Sequence, residues 1–159
     1  MPVRVSAGLV PYRIRNGRLE ILLAHPGGPF HAHEDDGCWS IPKGEVERHE
    51  TMLQTAIRET REEVGMAMPP SARYLELGSI RQKGGKIVHA WGVDCATVEA
   101  DLSSAATFQL EWPPGSGQVQ TFPEVDRAGF MAFSEALRKV KASQIPLLER
   151  LARQLKLTE

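Results

Sequence analysis

The stretch Gly44-Glu-Val-Glu-Arg-His-Glu50, followed by Arg58-Glu-Thr-Arg-Glu-Glu-Val-Gly65, is the most informative part of this chain. Glu59, Glu62 and Glu63 lie on one face of a predicted helix, because positions i, i+3 and i+4 are neighbours on a helix. The glycine that ends the stretch is typical of a helix C-cap. Two of the three carboxylates therefore fall in the last helical turn.

This position is unfavourable for acidic side chains. The C-terminal end of a helix carries partial negative charge. Like charges about 6 Å apart repel by roughly 3 kcal/mol at an effective dielectric constant near 20. The cluster therefore predicts a neutralising cation, and ligands with only oxygen donors select a hard ion such as Mg²⁺ or Mn²⁺.

A solvated helix face that carries arginine is the alternative interpretation of the acidic cluster. Arg58 can pair with Glu62 at i, i+4, and Arg61 lies nearby. Part of the repulsion can then be neutralised within the helix itself.

The whole stretch resembles the signature of the Nudix hydrolase family, G-x5-E-x7-R-E-U-x-E-E-x-G-U, where U is a bulky apolar residue. The positions in register are Gly44, Glu50, Arg58, Glu59, Glu62, Glu63, Gly65 and Met66. One position departs from the signature, because Thr60 stands where the family prefers an aliphatic residue.

The resemblance implies a loop-helix-loop catalytic motif that holds Mg²⁺ or Mn²⁺ over a diphosphate linkage. In the family, the acids that match Glu59, Glu62 and Glu63 bind the metal or orient the attacking water. The backbone carbonyl before the motif glycine, here that of Lys43, often completes the metal site.

The resemblance also implies a supporting role and a fold. The residues that match Glu50 and Arg58 usually form an ion pair beside the metal site. The expected fold is of the α/β class, an α/β/α sandwich with a mixed β-sheet. We expect one Nudix hydrolase domain over residues 1–159.

The motif helix is also indicated by the sequence itself. Thr51-Met-Leu-Gln54 matches a capping box, with Thr51 as N-cap. The following residues repeat at helical spacing on the side away from the acids and are predicted to face a core: Leu53, Ala56, Ile57, Thr60 and Val64.

The rest of the chain predicts strands around this helix and helices after them. Val3–Ile14 and Leu19–Ala24 flank Asn16-Gly17, which predicts a hairpin with a type I′ turn. Pro11 predicts an edge or bulged strand. Further predicted elements are a hairpin of Arg73–Arg81 and Lys86–Cys95, a strand at Thr107–Glu111, a helix capped by Ser134 that ends at Val140, and a helix with Pro146 in its first turn. Such interleaving fits a mixed sheet covered on both faces.

Several residues outside the acidic cluster are candidates for substrate binding. Lys43 is a compact cation suited to a phosphate oxygen, with a solvated loop lysine as the alternative. Arg81 and Lys86 lie on either side of the turn of the second hairpin and are further candidates for phosphate binding, with solvated turn residues as the alternative. Trp39 is expected either to stack on a base or to support the loop. The segment Trp39-Ser-Ile-Pro-Lys-Gly44 resembles that of Nudix enzymes that act on diadenosine and diphosphoinositol polyphosphates.

A late glutamate is a further candidate for the catalytic site. Nudix enzymes often recruit one as a general base or additional metal ligand. Glu124 and Glu111 both lie in suitable loops, and Glu124 is taken as the catalytic candidate. The alternative for each is a solvated side chain.

Composition sets outer bounds on function. The chain has 159 residues and a net charge of −1, which fits one domain and argues against a nucleic-acid binder or a polybasic membrane binder. Cys38 and Cys95 have no metal-like spacing. No signal-peptide or transmembrane pattern is present, so a cytoplasmic location is expected, and a single disulfide stays open.

The predicted function is that of a metal-dependent pyrophosphohydrolase. It would cleave a diphosphate linkage in a nucleoside diphosphate linked to another moiety, such as a dinucleoside polyphosphate or a nucleoside triphosphate. The alternatives are a Nudix-fold binding or regulatory module without catalysis, and an enzyme similar to isopentenyl diphosphate isomerase. The oligomeric state is left open.

Overall fold

A computed structural model describes residues 4–157. Its elements are β1 (Val5–Arg15), β2 (Arg18–Pro26), β3 (Lys43–Glu45), α1 (Met52–Val64), β4 (Tyr74–Arg81), β5 (Ile87–Asp94), β6 (Thr107–Glu111), β7 (Val119–Pro123), β8 (Val125–Ala132), α2 (Phe133–Lys139), a 3₁₀ turn (Ala142–Gln144) and α3 (Ile145–Leu155). Over these described residues, no helix combines the length and the apolar character that a membrane crossing requires.

A mixed sheet forms the centre of the fold. Its strand order is β4-β5-β1-β2-β8, and β3 pairs with β1. The β1–β5 pair is parallel, and the other pairs are antiparallel. Alternate residues of β2 enter different core clusters: Leu22 packs with Ala56 of α1, and Leu23 packs with Leu147 of α3. Helices therefore cover both faces, which confirms the predicted α/β/α sandwich.

The predicted first hairpin is confirmed. Arg15 pairs with Arg18 across a two-residue turn. Asn16 and Gly17 both have positive φ, at 53° and 75°, as a type I′ turn requires. The first residue of the predicted strand, Val3, lies outside the described residues.

Pro11 was predicted to mark an edge or a bulged strand. The edge alternative is wrong, because β1 lies inside the sheet, and the pairing of β1 with β5 runs from Val5 to Tyr12 without the register shift of a bulge. On its other side β1 changes partner: Leu9 N donates to Pro42 O, and the pairing with β2 begins at Tyr12. Pro11 lies between these two pairings, where its missing N–H ends the β1–β2 ladder.

The later elements were predicted in part. The β4–β5 hairpin, strand β6 and Pro146 in the first turn of α3 are confirmed. Strands β7 and β8 were not predicted. The start of α2 was predicted incorrectly: its N-cap is Ala132, without a side-chain hydrogen bond. The chain passes directly from β8 into α2, so Ser134 lies within the first turn, and the helix ends at Lys139.

The motif helix has the predicted local structure. Gln54 N donates to Thr51 Oγ1 over 3.1 Å, and Thr51 N donates to Gln54 Oε1 over 2.9 Å. Gly65 ends the helix at φ 71°. The Thr60 hydroxyl donates to Ala56 O over 2.8 Å, so its polar group is satisfied inside the helix. The buried residues of the helix are Thr55, Ala56, Thr60 and Val64.

The two cysteines do not pair with each other. Cys38 and Cys95 are both free and buried, and they belong to different core clusters on opposite faces of the sheet. The open possibility of a disulfide between them is therefore removed.

Two glycines with positive φ, Gly65 and Gly17, give a matched test of how tightly the C-terminal end of α1 is packed. A Cβ atom at Gly65 would lie 1.8 Å from Asp101 O, whereas a Cβ atom at Gly17 would meet nothing within 4 Å. Both residues have similar positive φ. We expect Gly17→Ala to cost about 1–2 kcal/mol of unfolding free energy, and Gly65→Ala to cost clearly more, in equilibrium urea unfolding. Equal losses would show that Asp101 does not restrict this C-cap.

Candidate active site

The segment that enters the motif is packed tightly between β1 and α1. A Cβ atom at Gly44 would lie 2.1 Å from Glu59 Cδ, and a Cβ atom at Gly8 would lie 2.7 Å from Lys43 Cβ and 2.5 Å from Pro42 O. Glycine is thus needed at Gly8, where the contact is with backbone, whereas a side chain at Gly44 would displace the Glu59 carboxylate. These contacts hold the backbone around Lys43 directly against the Glu59 carboxylate.

Arg58 is the centre of an ion-pair network. Its Nε and Nη2 donate to both oxygens of Glu50, over 2.7 and 3.0 Å. Its Nη1 lies 3.1 Å from Glu59 Oε1 and 3.0 Å from Glu62 Oε2. The hydrogen bond from Arg58 lowers the pKa of Glu50 to about 2, and Thr55 adds to the effect. The expected Glu50–Arg58 pair is therefore present, in bidentate form.

The other carboxylates of the motif are less well compensated. The pKa of Glu63 is raised to about 8, first by burial and then by the charges of Glu59 and Glu124, while Lys43 opposes these effects. Burial also raises the pKa of Glu59. Glu124, which follows β7, acts on both groups. The fold thus brings the predicted late glutamate to the acidic cluster.

These groups meet at a cavity of about 140 Å³. It is lined by Ala24, Pro26, Cys38, Ser40, Lys43, Glu63, Glu124, Val125 and Lys141. The end of β2, the segment before β3, the last turn of α1, the start of β8 and the residues after α2 all contribute. Carboxylates and ammonium groups therefore share one small space, which suits a cation together with an anionic ligand.

The oxygen donors fit a divalent cation after side-chain adjustment. As the side chains of residues 4–157 stand, no three His, Cys, Asp or Glu residues are gathered as ligands. Arg58 engages Glu59 Oε1 and Glu62 Oε2, which leaves one oxygen of each carboxylate without that contact. These oxygens and the Glu63 carboxylate form a donor set that Mg²⁺ or Mn²⁺ prefers.

Of the predicted substrate-binding cations, only Lys43 lines the cavity. Lys43 is half-buried in the cavity wall, and burial followed by the charges of Lys86 and Lys141 lowers its pKa to about 8. Lys86 therefore lies near Lys43. Arg81 is exposed at the end of β4 and does not line the cavity.

Trp39 lies behind the cavity wall. Its side chain is buried, and its Nε1 donates to Asp35 Oδ1 over 2.8 Å. Its ring packs edge-on against His25, and the Arg127 guanidinium lies over it. Its neighbours Cys38 and Ser40 line the cavity instead. This placement favours support of the segment over stacking on a base.

Two further placements differ from what the sequence suggested. Glu111, the other late glutamate, accepts a hydrogen bond from Gly115 N over 2.8 Å at the end of the β6–β7 hairpin and does not line the cavity. Lys141, which does line it, was not singled out, because a lone lysine after a short helix carries no sequence signal.

The raised pKa of Glu63 has a consequence for stability. A carboxyl group with a higher pKa when folded stabilises the protein below the unfolded pKa, and this contribution is lost as pH rises through the folded pKa. We expect Glu63→Gln to melt above the wild type in EDTA near pH 8.5, with the difference shrinking towards pH 5. A difference independent of pH in thermal unfolding would contradict the buried position of this carboxylate.

Comparison with known proteins identifies the family. The model of the NUDIX domain matches residues 2–151. The chain is 43% identical over 61 residues to a bis(5'-nucleosyl)-tetraphosphatase [asymmetrical] of Caenorhabditis elegans. It is 41% identical over 67 residues to the protein of that name from Sus scrofa. Each match covers 38% of this chain, and 40% and 42% of the relative, so the chain spans about two fifths of these relatives in the matched segments.

Solved structures with the same fold extend over nearly the whole chain. An Ap4A hydrolase of C. elegans in a binary complex gives a TM-score of 0.65 at 24% identity and covers 95% of this chain and 98% of its own. The NUDIX domain of Shewanella oneidensis NrtR, complexed with ADP ribose, gives a TM-score of 0.67 at 16% identity and covers 98% of this chain and 90% of its own. The family match and the shared fold together show that this chain belongs to the Nudix family.

Proposed function

We propose that this protein is a divalent-cation-dependent pyrophosphohydrolase that cleaves a diphosphate linkage in a nucleoside diphosphate linked to another moiety, with dinucleoside polyphosphates as the favoured class. One observation carries the proposal: Glu63 of α1 lines a single cavity with Glu124 and Lys43, and the neighbouring Glu59 acts on Glu63 through its charge. A site that binds metal and phosphate together requires this mixture of groups.

The carboxylates of Glu59, Glu62 and Glu63, with the Lys43 carbonyl, would hold Mg²⁺ or Mn²⁺. When bound, the cation neutralises phosphate charge and lowers the pKa of a coordinated water. Arg58 and Glu50 act through these residues, because their bidentate contact fixes the guanidinium that orients Glu59 and Glu62.

The chemical step needs a water, a proton acceptor and phosphate binding. The oxygen of water bonds to phosphorus, and the P–O bond of the diphosphate bridge breaks. Glu124 lines the cavity near Glu63 and is assigned as the acceptor of the water proton. Lys43 would bind a phosphate oxygen from the cavity wall, and Lys86, whose charge acts on Lys43, is a second candidate. Arg81 lies outside the cavity lining, and its role in phosphate binding stays a prediction.

The substrate class is supported by the relatives. The two curated relatives are named as bis(5'-nucleosyl)-tetraphosphatases, and the NUDIX domain of NrtR is complexed with ADP ribose. These molecules share a nucleoside joined to a diphosphate linkage. A nucleoside triphosphate is the second substrate to test.

The two other functions have less support. A binding module without catalysis would not need the complete acidic set that this chain keeps. For an isomerase, Cys38 does line the cavity together with Glu124. However, its thiol donates to Asp35 O over 2.9 Å, and burial raises the pKa of Cys38, so both effects keep the sulfur protonated.

A substrate panel with variants tests the proposal. The panel contains dinucleoside polyphosphates, nucleoside triphosphates, ADP-ribose, nucleotide sugars, diphosphoinositol phosphates and isopentenyl diphosphate, each with Mg²⁺ or Mn²⁺ and product identification. We expect metal-dependent hydrolysis of a nucleotide, and a fall in kcat of about a hundredfold or more in Glu62→Gln and Glu63→Gln.

The exposed Glu149→Gln on α3 is the matched control, because it removes one carboxylate away from the cavity. Its kcat should match the wild type. Full turnover in both motif variants at saturating metal would refute the assignment of these acids. Hydrolysis of no substrate, with tight binding of one, would favour the binding module.

A further inference from the structure

Lys141 enters the cavity from a part of the fold that the sequence motif does not include. It follows α2, and its side chain lines the cavity with Lys43, Glu63 and Glu124. Lys43 and Lys141 thus bring two ammonium groups to one small cavity, and their mutual repulsion favours an anionic ligand between them.

The backbone of Lys141 is fixed by the segment that leads to the motif. Its N–H donates to Trp39 O over 2.8 Å, and Trp39 N donates to Lys139 O over 3.0 Å. Its carbonyl accepts from Gln144 N over 2.9 Å. These bonds form a short bridge beside Trp39, so Lys141 is held on the cavity wall and not on a free loop.

The buried Gln144 completes this connection. Its side chain accepts from Ile41 N over 3.0 Å and donates to Ser40 Oγ over 3.0 Å. It is fully buried. The residues after α2 and the segment before Lys43 are thus joined by both backbone and side-chain bonds, which keeps the two lysines in a fixed relation.

The free charge of Lys141 distinguishes it from its neighbour. Lys139 is paired with Asp35, and it lies 3.6 Å from Asp36. Within residues 4–157, no carboxylate oxygen lies within 4.0 Å of the ammonium nitrogen of Lys43 or Lys141. The two ammonium groups that line the cavity therefore stay available for a ligand.

Lys43 and Lys141 reach the cavity from different elements. Lys43 lies in β3, and Lys141 follows α2, where its backbone is bonded to Trp39. Two cations on separate elements suit two phosphates of one chain.

We propose that Lys141 is a specificity-determining residue that binds a phosphate beyond the cleaved linkage, so that the site favours nucleotides with three or more consecutive phosphates over those with two. This rests on the proposed hydrolase function and assigns a substrate class within it. A nucleotide with only two phosphates would place them at Lys43 and at the cation, so no phosphate would contact Lys141.

The kinetic test compares two substrates. For diadenosine tetraphosphate, we expect Lys141→Met to raise KM and lower kcat/KM by about tenfold, and Lys141→Arg to recover most of the loss. For ADP-ribose, both variants should match the wild type. Lys156→Met, at the end of α3 and outside this cavity, is the charge-matched control. Equal losses on both substrates, or no loss on the tetraphosphate, would overturn the assignment.

A binding measurement separates this inference from the proposed function. Inorganic tripolyphosphate and methylenebisphosphonate are titrated into wild type and Lys141→Met by calorimetry, with Mg²⁺ present. We expect Lys141→Met to weaken tripolyphosphate binding about tenfold and to leave the bisphosphonate nearly unchanged. This result would support the phosphate site even if the wild type hydrolysed no nucleotide. Unaltered tripolyphosphate affinity would remove Lys141 from the site.

Discussion

The bidentate contact between Arg58 and Glu50 determines how the other charges of the site are arranged. Because Nε and Nη2 are committed to Glu50, Nη1 remains directed towards Glu59 and Glu62. One guanidinium thus contacts the carboxylates of Glu50, Glu59 and Glu62, with that of Glu47 at 3.6 Å. Glu63 receives no such contact, and its raised pKa shows the cost of burying it near other acids. The helix therefore keeps its uncompensated charge on the cavity side, where a cation would neutralise it.

Strand β1 fixes the position of the Pro42–Gly44 segment against helix α1. Gly8 allows the Pro42–Lys43 backbone to lie against β1, and Gly44 allows the same segment to touch the Glu59 carboxylate. Substitution of Gly8 would push the Pro42–Lys43 segment away from β1, because the new Cβ atom would lie 2.5 Å from a backbone oxygen, and substitution of Gly44 would displace the Glu59 carboxylate. The second half of the chain supplies the opposite wall through Glu124 and Lys141. A small cavity is thus lined from several elements, each held by bonds that do not involve the ligand.

Local features of the sequence predicted the structure well, whereas features that depend on distant contacts were missed or misplaced. The capping box at Thr51, the turn at Asn16-Gly17 and the C-cap at Gly65 depend on neighbouring residues only, and all three are present. Pro11 was assigned to an edge or bulged strand because a missing N–H is usually tolerated there, but the residue lies inside the sheet, where β1 changes partner. Lys141 gave no sequence signal, since its proximity to Lys43 exists only after α2 folds against the segment at Trp39.

Diffraction from crystals grown with Mn²⁺, recorded at a wavelength where manganese scatters anomalously, tests the central claim most directly, because it locates the cation without reference to activity. We expect an anomalous peak at the C-terminal end of α1, coordinated by carboxylate oxygens of Glu59, Glu62 and Glu63 and by the Lys43 carbonyl, with Arg58 still bound to Glu50. A peak elsewhere, or none at saturating Mn²⁺, would contradict the assignment of these acids as a cation site.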